Sequence, residues 1–135
     1  MDLSLAGKIK AANSLIVDGG NLDAVNDYFA PDYVAHVTEH DRSEGRDLIR
    51  RYIGTLQRAF PDLKSEVEIL MEGEDRVAWQ RTLKGTHQGN LMGFSASGRR
   101  IVWRDMATSR FRDGLIAEEW VITDLAERLL LARKR

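Results

Sequence analysis

The hydrophobic pattern of the chain changes its period near Pro61, and this change restricts the fold more than any other feature. Before Pro61, apolar residues recur every three or four positions, as in helices, over residues 5–16, 22–29 and 48–56. After it, apolar and polar residues alternate, as in strands with one buried face, over 65–71, 77–84, 101–111 and 115–122. Helices followed by strands predict an α+β domain whose helices pack on one face of an antiparallel sheet.

Turn-forming residues mark the ends of the predicted elements. Gly19-Gly20 is expected to close the first helix, Asn21 to cap the second, and Pro31 to end it. An extended piece over 32–36 follows Pro31. The remaining segments are predicted to be a polar loop over 38–44, a long glycine-rich hairpin connection over 85–98, a tight turn at Asp113-Gly114 and a closing helical turn over 125–132.

Length and charge are those of an ordinary globular domain. With 135 residues the chain can bury one core, so we expect a single domain over 1–135. The net charge is −1 with both signs interspersed, which argues against nucleic acid or a membrane as a partner. The basic run Arg133-Lys134-Arg135 is interpreted as a solvated helix end. Because residues 1–10 lack a signal-like apolar stretch and cysteine is absent, we expect a cytoplasmic protein.

Motifs that bind cofactors or metal ions are not found in the sequence. There is no Walker loop, no glycine-rich dinucleotide motif after a strand, no helical zinc-protease motif and no serine elbow. His36 and His40 have the spacing of helical metal ligands, but they lie in an extended and loop segment where this spacing does not align them. We therefore expect neither a metal ion nor an organic cofactor.

Asp105 is a carboxylate on the apolar face of a predicted strand. The alternation places it on the same side as Ile101 and Trp103. A buried carboxylate has to be paired, hydrogen-bonded or protonated. Arg81 occupies the apolar face of the preceding strand, and a hairpin centred on residues 92–94 sets it opposite Asp105. The two residues form a buried ion pair that fixes the strand register, or reach water at an edge strand, or hold a carboxylate beside a guanidinium at the floor of a cleft.

Two histidines, four aromatic residues and a further aspartate are candidates for the wall of such a cleft. His87 ends a predicted strand, where its imidazole either acts as an acid or base or simply holds a turn. His36 belongs either to the pocket wall or to a loop, and Asp124 either to the pocket or to the cap of the last helix. The aromatic candidates, each alternatively a core residue, are Tyr33, Trp79, Trp103 and Trp120.

Four segments together resemble the SnoaL-like polyketide cyclase family. They are Ala30-Pro31-Asp32-Tyr33-Val34, Ala59-Phe60-Pro61-Asp62-Leu63, Gly85-Thr86-His87-Gln88-Gly89 and residues 110–120. Their order and spacing cover nearly the whole chain. The resemblance implies the nuclear-transport-factor-like fold, a cone-shaped curved mixed or antiparallel sheet with N-terminal helices on its concave face. It also implies a cofactor-independent and often dimeric protein with a deep apolar cavity.

The proton-transfer residues of the cyclases in this family are mostly replaced in this chain. Those cyclases use an aspartate in the last strand, assisted by a histidine, an asparagine and a glutamine. The matching positions are, in that order, Val121, Ala107, Ala35 and Asp105. The resemblance therefore implies a ligand pocket lined in part by Val121, in which Asp105 alone keeps a side chain that can carry a proton.

The sequence leaves two functions open. The first is a cyclase, isomerase or hydroxylase that acts by acid–base chemistry on a polyketide-like or other hydrophobic carbonyl compound. Its catalytic residues would be Asp105, tuned by Arg81, and His87. The second is a non-catalytic small-molecule-binding protein of the same fold. Both imply a hydrophobic small-molecule ligand and a homodimer formed through the sheet.

Overall fold

The strands bury one face each, and together they form a single curved sheet around the helices. The computed structural model describes residues 4–37 and 40–133. Its strands are β1 (Phe29–Val37), β2 (His40–Arg42), β3 (Lys64–Glu72), β4 (Arg76–Thr86), β5 (Arg100–Arg112) and β6 (Leu115–Thr123), in the spatial order β2-β1-β6-β5-β4-β3. Neighbouring strands are antiparallel except β1 and β6, which are parallel. The predicted α+β class with a curved mixed sheet is confirmed.

The helices occupy the ends of the chain and the segment before β3. They are α1 (Leu5–Ala12), which continues as a π-helical turn (Asn13–Asp18), a 3₁₀ turn (Leu22–Ala24), α2 (Val25–Tyr28), α3 (Asp47–Ala59) and α4 (Leu125–Arg133). Ser4 caps α1 by accepting a hydrogen bond from the backbone N–H of Gly7 at 3.0 Å. Within the part of the chain that the structure describes, no helix combines the length and the apolar character needed to cross a membrane.

Three sequence predictions of local structure differ from the structure. Asn21 makes no side-chain capping bond to the turn that follows it. Pro31 lies inside β1 rather than before it, at a register irregularity between Phe29 and Val34, where proline's missing N–H is tolerated. The predicted loop over 38–44 contains β2, which pairs with β1. Thr38 and Glu39 of that loop, like Lys134 and Arg135 of the basic run, lie outside the described residues.

Gly85 in β4 marks the closest packing between the sheet and the end of α3. A Cβ atom at this position would lie 2.8 Å from the Cβ atom of Phe60. Phe60 is fully buried, and its ring centroid lies 4.8 Å from that of Trp103. Because these rings have no free space beside them, only glycine lets β4 approach Phe60 this closely.

Replacing Gly85 by alanine should lower the free energy of unfolding by about 1–3 kcal/mol, because the added methyl group overlaps Phe60 in a packed core. Urea unfolding followed by circular dichroism measures the loss. Gly73→Ala is the matched control, since the nearest atom to its Cβ would be the Arg76 carbonyl oxygen at 3.6 Å. This control should change the stability by no more than about 0.5 kcal/mol. Equal losses at both positions would contradict the steric explanation.

Candidate active site

A cavity of about 420 Å³ lies between the concave face of the sheet and the helices α1 and α3. Its size is that of a pocket for a small organic molecule. Most of the wall is aliphatic or aromatic, and representative lining residues are Ile9, Ile16, Phe29, Leu48, Ile53 and Ile116. Two hydrogen-bonded clusters of polar side chains reach the wall, and Arg42, Tyr52 and Thr123 line it as well.

The first cluster, the Arg81 cluster, consists of Asn13, Arg81 and Asp105. The predicted register is confirmed, because Arg81 and Asp105 are directly paired across β4 and β5. Arg81 Nε donates to Asp105 Oδ2 at 2.9 Å, and Arg81 Nη1 donates to Asn13 Oδ1 at 2.8 Å. All three residues line the cavity. The ion pair is therefore on the concave side of the sheet and joins it to the first helix.

One carboxylate oxygen of Asp105 is hydrogen-bonded to Arg81, and the other makes no hydrogen bond to the described residues. Its residue exposure is 2%, and Oδ1 is buried without a hydrogen-bond partner among the described residues. Burial is the largest influence and lowers the pKa of Arg81, but the charge and hydrogen bond of Asp105, together with Tyr52 and Glu119, outweigh it, so the pKa of Arg81 is raised overall. The permanent guanidinium charge thus orients Asp105 and leaves Oδ1 as an acceptor inside the site.

Asn13 begins the π-helical turn that follows α1. Its Nδ2 donates to the carbonyl oxygen of Ile9 at 2.9 Å, one turn earlier in the helix. This bond fixes the amide so that Oδ1 faces Arg81. Irregular π turns of this kind are frequent at functional sites.

The second cluster, the Glu119 cluster, consists of Tyr33, Trp79, Ser109 and Glu119. The Tyr33 hydroxyl donates to Glu119 Oε1 at 2.6 Å, and Ser109 Oγ donates to Oε2 at 2.5 Å. Trp79 Nε1 donates to Ser109 Oγ at 2.8 Å. Burial raises the pKa of the Glu119 carboxyl, although the bonds from Ser109 and Tyr33 oppose the rise. Glu119 is therefore biased toward its protonated form.

Tyr52 brings a further hydroxyl group to the cavity wall from α3. Burial, with the negative charge of Asp105 as the next contribution, raises the pKa of Tyr52 to about 12. The phenol consequently stays neutral at physiological pH and can serve as a hydrogen-bond donor.

The structure brings some of the predicted site residues together and separates others. Asp105, Arg81, Tyr33, Trp79 and Val121 all line the cavity. Trp103 is instead a core residue against Phe60. His87 is also buried outside the cavity lining, with its ring centroid 5.6 Å from that of Phe60. Burial lowers the pKa of His87, and Ser97 Oγ lies 3.2 Å from its Nδ1. His87 is therefore a buried neutral imidazole away from Asp105.

His36 and Trp120 lie on the outer face of the sheet rather than in the cavity. They are register partners on β1 and β6, and their rings stack with centroids 5.2 Å apart. Glu118 Oε2 lies 2.6 Å from His36 Nε2, and Asp41 Oδ1 lies 2.8 Å from Nδ1. The prediction that Trp120 lines the pocket was wrong because neighbouring residues on a strand point to opposite faces, and Glu119 takes the inward position on β6. His36, the register partner of Trp120, points outward with it.

Asp124 is likewise not part of the cavity wall. Its Oδ1 accepts a hydrogen bond from the backbone N–H of Arg104 at 2.8 Å, and Oδ2 accepts one from Arg128 Nε at 3.2 Å. Asp124 thus connects the start of α4 to β5. This is a structural role at the beginning of the last helix, one of the two roles that the sequence left open.

Asn13, Tyr52 and Glu119 are polar cavity residues that reasoning from the sequence missed. Asn13 follows Ile9 by four positions and so interrupts the apolar stripe of the first helix. Glu119 alternates with Ala117 and Val121. The rule that singled out Asp105, a polar residue at an apolar position, would have found both. Among residues 4–37 and 40–133, no group of three histidine or acidic side chains is arranged to hold a metal ion.

Replacing Arg81 by methionine should lower the free energy of unfolding by about 3–5 kcal/mol, because Asp105 is left buried without its partner. Lys84→Met is the matched control on the same strand. Its ion pair with Glu66 is exposed, with an Nζ–Oε1 distance of 3.3 Å, and its loss should cost less than about 1 kcal/mol. Urea unfolding of both variants measures the difference. Similar losses would mean that the buried pair stabilises the fold no more than a surface pair.

Solved structures of similar proteins match the chain over nearly its whole length. AclR, a proposed hydroxylase from Streptomyces galilaeus, is 29% identical, with 98% of this chain and 88% of that chain covered and a TM-score of 0.80. IdmH, a proposed polyketide cyclase from Streptomyces antibioticus, is 28% identical, with coverages of 96% and 98% and a TM-score of 0.78. A proposed polyketide cyclase from Acidithiobacillus ferrooxidans, 22% identical with coverages of 95% and 93% and a TM-score of 0.81, shares the fold. No curated protein matches the chain.

A family model extends the similarity to the sequence itself. The model of the SnoaL-like polyketide cyclases matches residues 9–130, a range that begins within α1 and ends within α4. It contains both polar clusters of the cavity. The chain therefore belongs to the SnoaL-like polyketide cyclase family.

Proposed function

We propose that this protein is an acid–base enzyme that removes a proton from carbon next to a carbonyl group in a hydrophobic, polyketide-like compound. The observation that carries the proposal is the open Oδ1 of Asp105, a buried acceptor at the wall of an apolar cavity that has no partner among residues 4–37 and 40–133. Native proteins rarely leave such an atom unsatisfied, and sites of catalysis are a common reason.

The Arg81 cluster supplies what a general base needs. Arg81 binds Oδ2 at 2.9 Å and is itself fixed by Asn13, so Oδ1 has a defined direction. A positioned carboxylate of this kind contributes about 10²–10⁴-fold to proton transfer. The neutral Tyr52 hydroxyl, which lies within the field of the Asp105 charge, is a donor for the oxygen of the enolate that results.

The cavity fits a compound with an apolar skeleton and few polar atoms. An enolate formed there would close a ring by attacking a second carbonyl group, or take back a proton at another carbon in an isomerisation. Neither reaction requires a metal ion or an organic cofactor. His87 is not part of this proposal, since its ring packs against Phe60 outside the cavity lining.

The second candidate is a non-catalytic binding protein with the same ligand class. It is favoured by Ala35, Ala107 and Val121, which line the cavity at the positions where family cyclases carry proton-transfer groups. These three side chains make the middle of the cavity floor apolar. Under this alternative, the Arg81 cluster would orient a ligand without transferring its proton.

The variant Asp105→Asn separates the two candidates. The probe is 2-tetralone, a bicyclic ketone with acidic protons beside its carbonyl group, and the measurement is proton exchange in D₂O followed by NMR. The wild-type protein should accelerate the exchange, and the variant should lose about 10²-fold or more of this acceleration because an amide is not a base. Thermal shift with the same ketone should show that binding persists.

Glu118→Gln is the matched control for the exchange experiment. It removes a carboxylate from the outer face of the same sheet, where Glu118 pairs with His36 and Arg110. Its exchange rate should equal that of the wild type. Unchanged exchange in folded Asp105→Asn would reject Asp105 as the base, and binding without any exchange in the wild type would favour the non-catalytic candidate.

We infer further that the outer face of the sheet forms a homodimer. Met106 and Ile122 are register partners on β5 and β6, and they are 49% and 67% exposed. Val102, 46% exposed, lies on the same side of β5. Exposed apolar residues grouped in this way are typical of protein–protein contacts, and a second copy of the chain would present the same surface.

Replacing Ile122 by lysine should convert the protein to a monomer, because the lysine charge would be buried without a partner in an apolar interface. Sedimentation equilibrium measures the mass. The control is Leu131→Lys, which adds the same charge at an exposed position of α4 away from the sheet. The wild type sedimenting as a monomer would contradict the inference, as would an unaffected dimer in Ile122→Lys.

A further inference from the structure

The Glu119 cluster is a continuous chain of hydrogen bonds that ends at the cavity. The indole N–H of Trp79 can only donate, so Ser109 Oγ accepts a hydrogen bond from it. The Ser109 hydroxyl in turn donates a hydrogen bond to Glu119 Oε2. Tyr33 lies at the opposite oxygen, Oε1. Ser109 and Glu119 are register partners on β5 and β6, and Tyr33 and Glu119 both line the cavity.

The protonation state of Glu119 decides whether the Tyr33 hydroxyl can donate a hydrogen bond to a ligand. When the carboxyl is ionised, Tyr33 donates to Oε1 and its hydrogen is used within the cluster. When the carboxyl is protonated, its O–H can donate to the Tyr33 oxygen, and the Tyr33 hydrogen becomes free. The bond from Ser109 to Oε2 is the same in both states. Protonation of Glu119 therefore changes the Tyr33 hydroxyl from a hydrogen-bond acceptor to a donor toward the cavity.

The surroundings of Glu119 favour the protonated state. Glu119 lies on β6 between β1 and β5. The charged groups that act on it are Arg81 and Asp105, which have opposite signs. Burial is the largest influence and raises the pKa of Glu119. Burial is the largest influence on Tyr33 as well and raises its pKa well above the ordinary range, so Tyr33 keeps its hydrogen.

We propose that Tyr33 binds the carbonyl or enol oxygen of the ligand by donating its hydroxyl hydrogen, and that the Glu119 carboxyl, 2.6 Å from the Tyr33 oxygen, sets the direction of this bond. The inference rests on the proposed function for the class of ligand, a carbonyl compound. Between the Glu119 cluster and Asp105 the sheet carries Ala107 and Val121, which leave room for a flat ring system. A hydroxyl donor at the oxygen and a carboxylate at the carbon stabilise the enolate from two sides.

The test uses 2-naphthol, a bicyclic mimic of the enol of 2-tetralone, titrated by its fluorescence against the folded protein. Tyr33→Phe should weaken binding about tenfold, the effect of one lost hydrogen bond in a buried site. Glu119→Gln should bind within about threefold of the wild type, because its amide can donate to Tyr33 and accept from Ser109. Circular dichroism verifies the fold of each variant.

Matched controls remove the same chemical groups at positions outside the cavity lining. Tyr28→Phe removes a hydroxyl from α2 outside the cavity lining, and Glu118→Gln removes a carboxylate beside Glu119 on the outer face. Both should bind 2-naphthol as the wild type does. As the pH rises through the raised pKa of Glu119, wild-type affinity should fall, whereas Glu119→Gln should show no such decrease.

Three results would overturn the inference. They are wild-type protein that does not bind 2-naphthol, Tyr33→Phe that binds it unchanged, and folded Glu119→Gln that loses as much affinity as Tyr33→Phe. If Tyr33→Phe does not fold, the pH dependence of the wild type against Glu119→Gln decides. Failure of Asp105→Asn to affect 2-tetralone exchange would reject the base but not this binding role, so the two proposals fail separately.

Discussion

The buried contact between Arg81 and Asp105 is the interaction on which the rest of the structure depends. It pairs β4 with β5 in one register, and through Asn13 it connects the sheet to the first helix. A slip of either strand by one residue would turn its charged side chain to the outer face and leave the other charge inside without its partner. The same contact that selects the register thus places a carboxylate with an open oxygen at the cavity wall.

The cavity separates its polar chemistry into two clusters with an apolar floor between them. Each cluster satisfies its polar groups internally, apart from the open oxygen of Asp105. Such a wall restricts water and makes each remaining hydrogen bond stronger than it would be in solvent. The family's usual proton-transfer positions, now Val121, Ala107 and Ala35, belong to this floor, and the proposed acid–base chemistry therefore rests on Asp105.

The outer face of the sheet carries a different kind of surface. His36, stacked on Trp120 and held between Asp41 and Glu118, forms a polar cluster there. Side-chain bonds from Glu118 and Asp41 raise the pKa of His36, which favours its charged form. Beside this cluster lie the exposed apolar residues of β5 and β6. Strand alternation thus divides one sheet between a ligand cavity and a surface suited to association.

The sequence by itself determined the fold class and the Arg81–Asp105 pairing, because periodicity and alternation are local properties that survive without knowledge of the tertiary structure. Only the tertiary structure decided which aromatic residues line the cavity. Trp79 and Trp120 are equally apolar in the sequence, but β6 faces inward at Glu119 and outward at Trp120. Glu119 became part of the site because β1 and β5, distant in sequence, bring Tyr33 and Ser109 to it. Alternation in β6 marks Glu119 as a polar residue at an apolar position. Long-range contacts leave no periodic signal, so only the folded chain shows its hydrogen-bond partners.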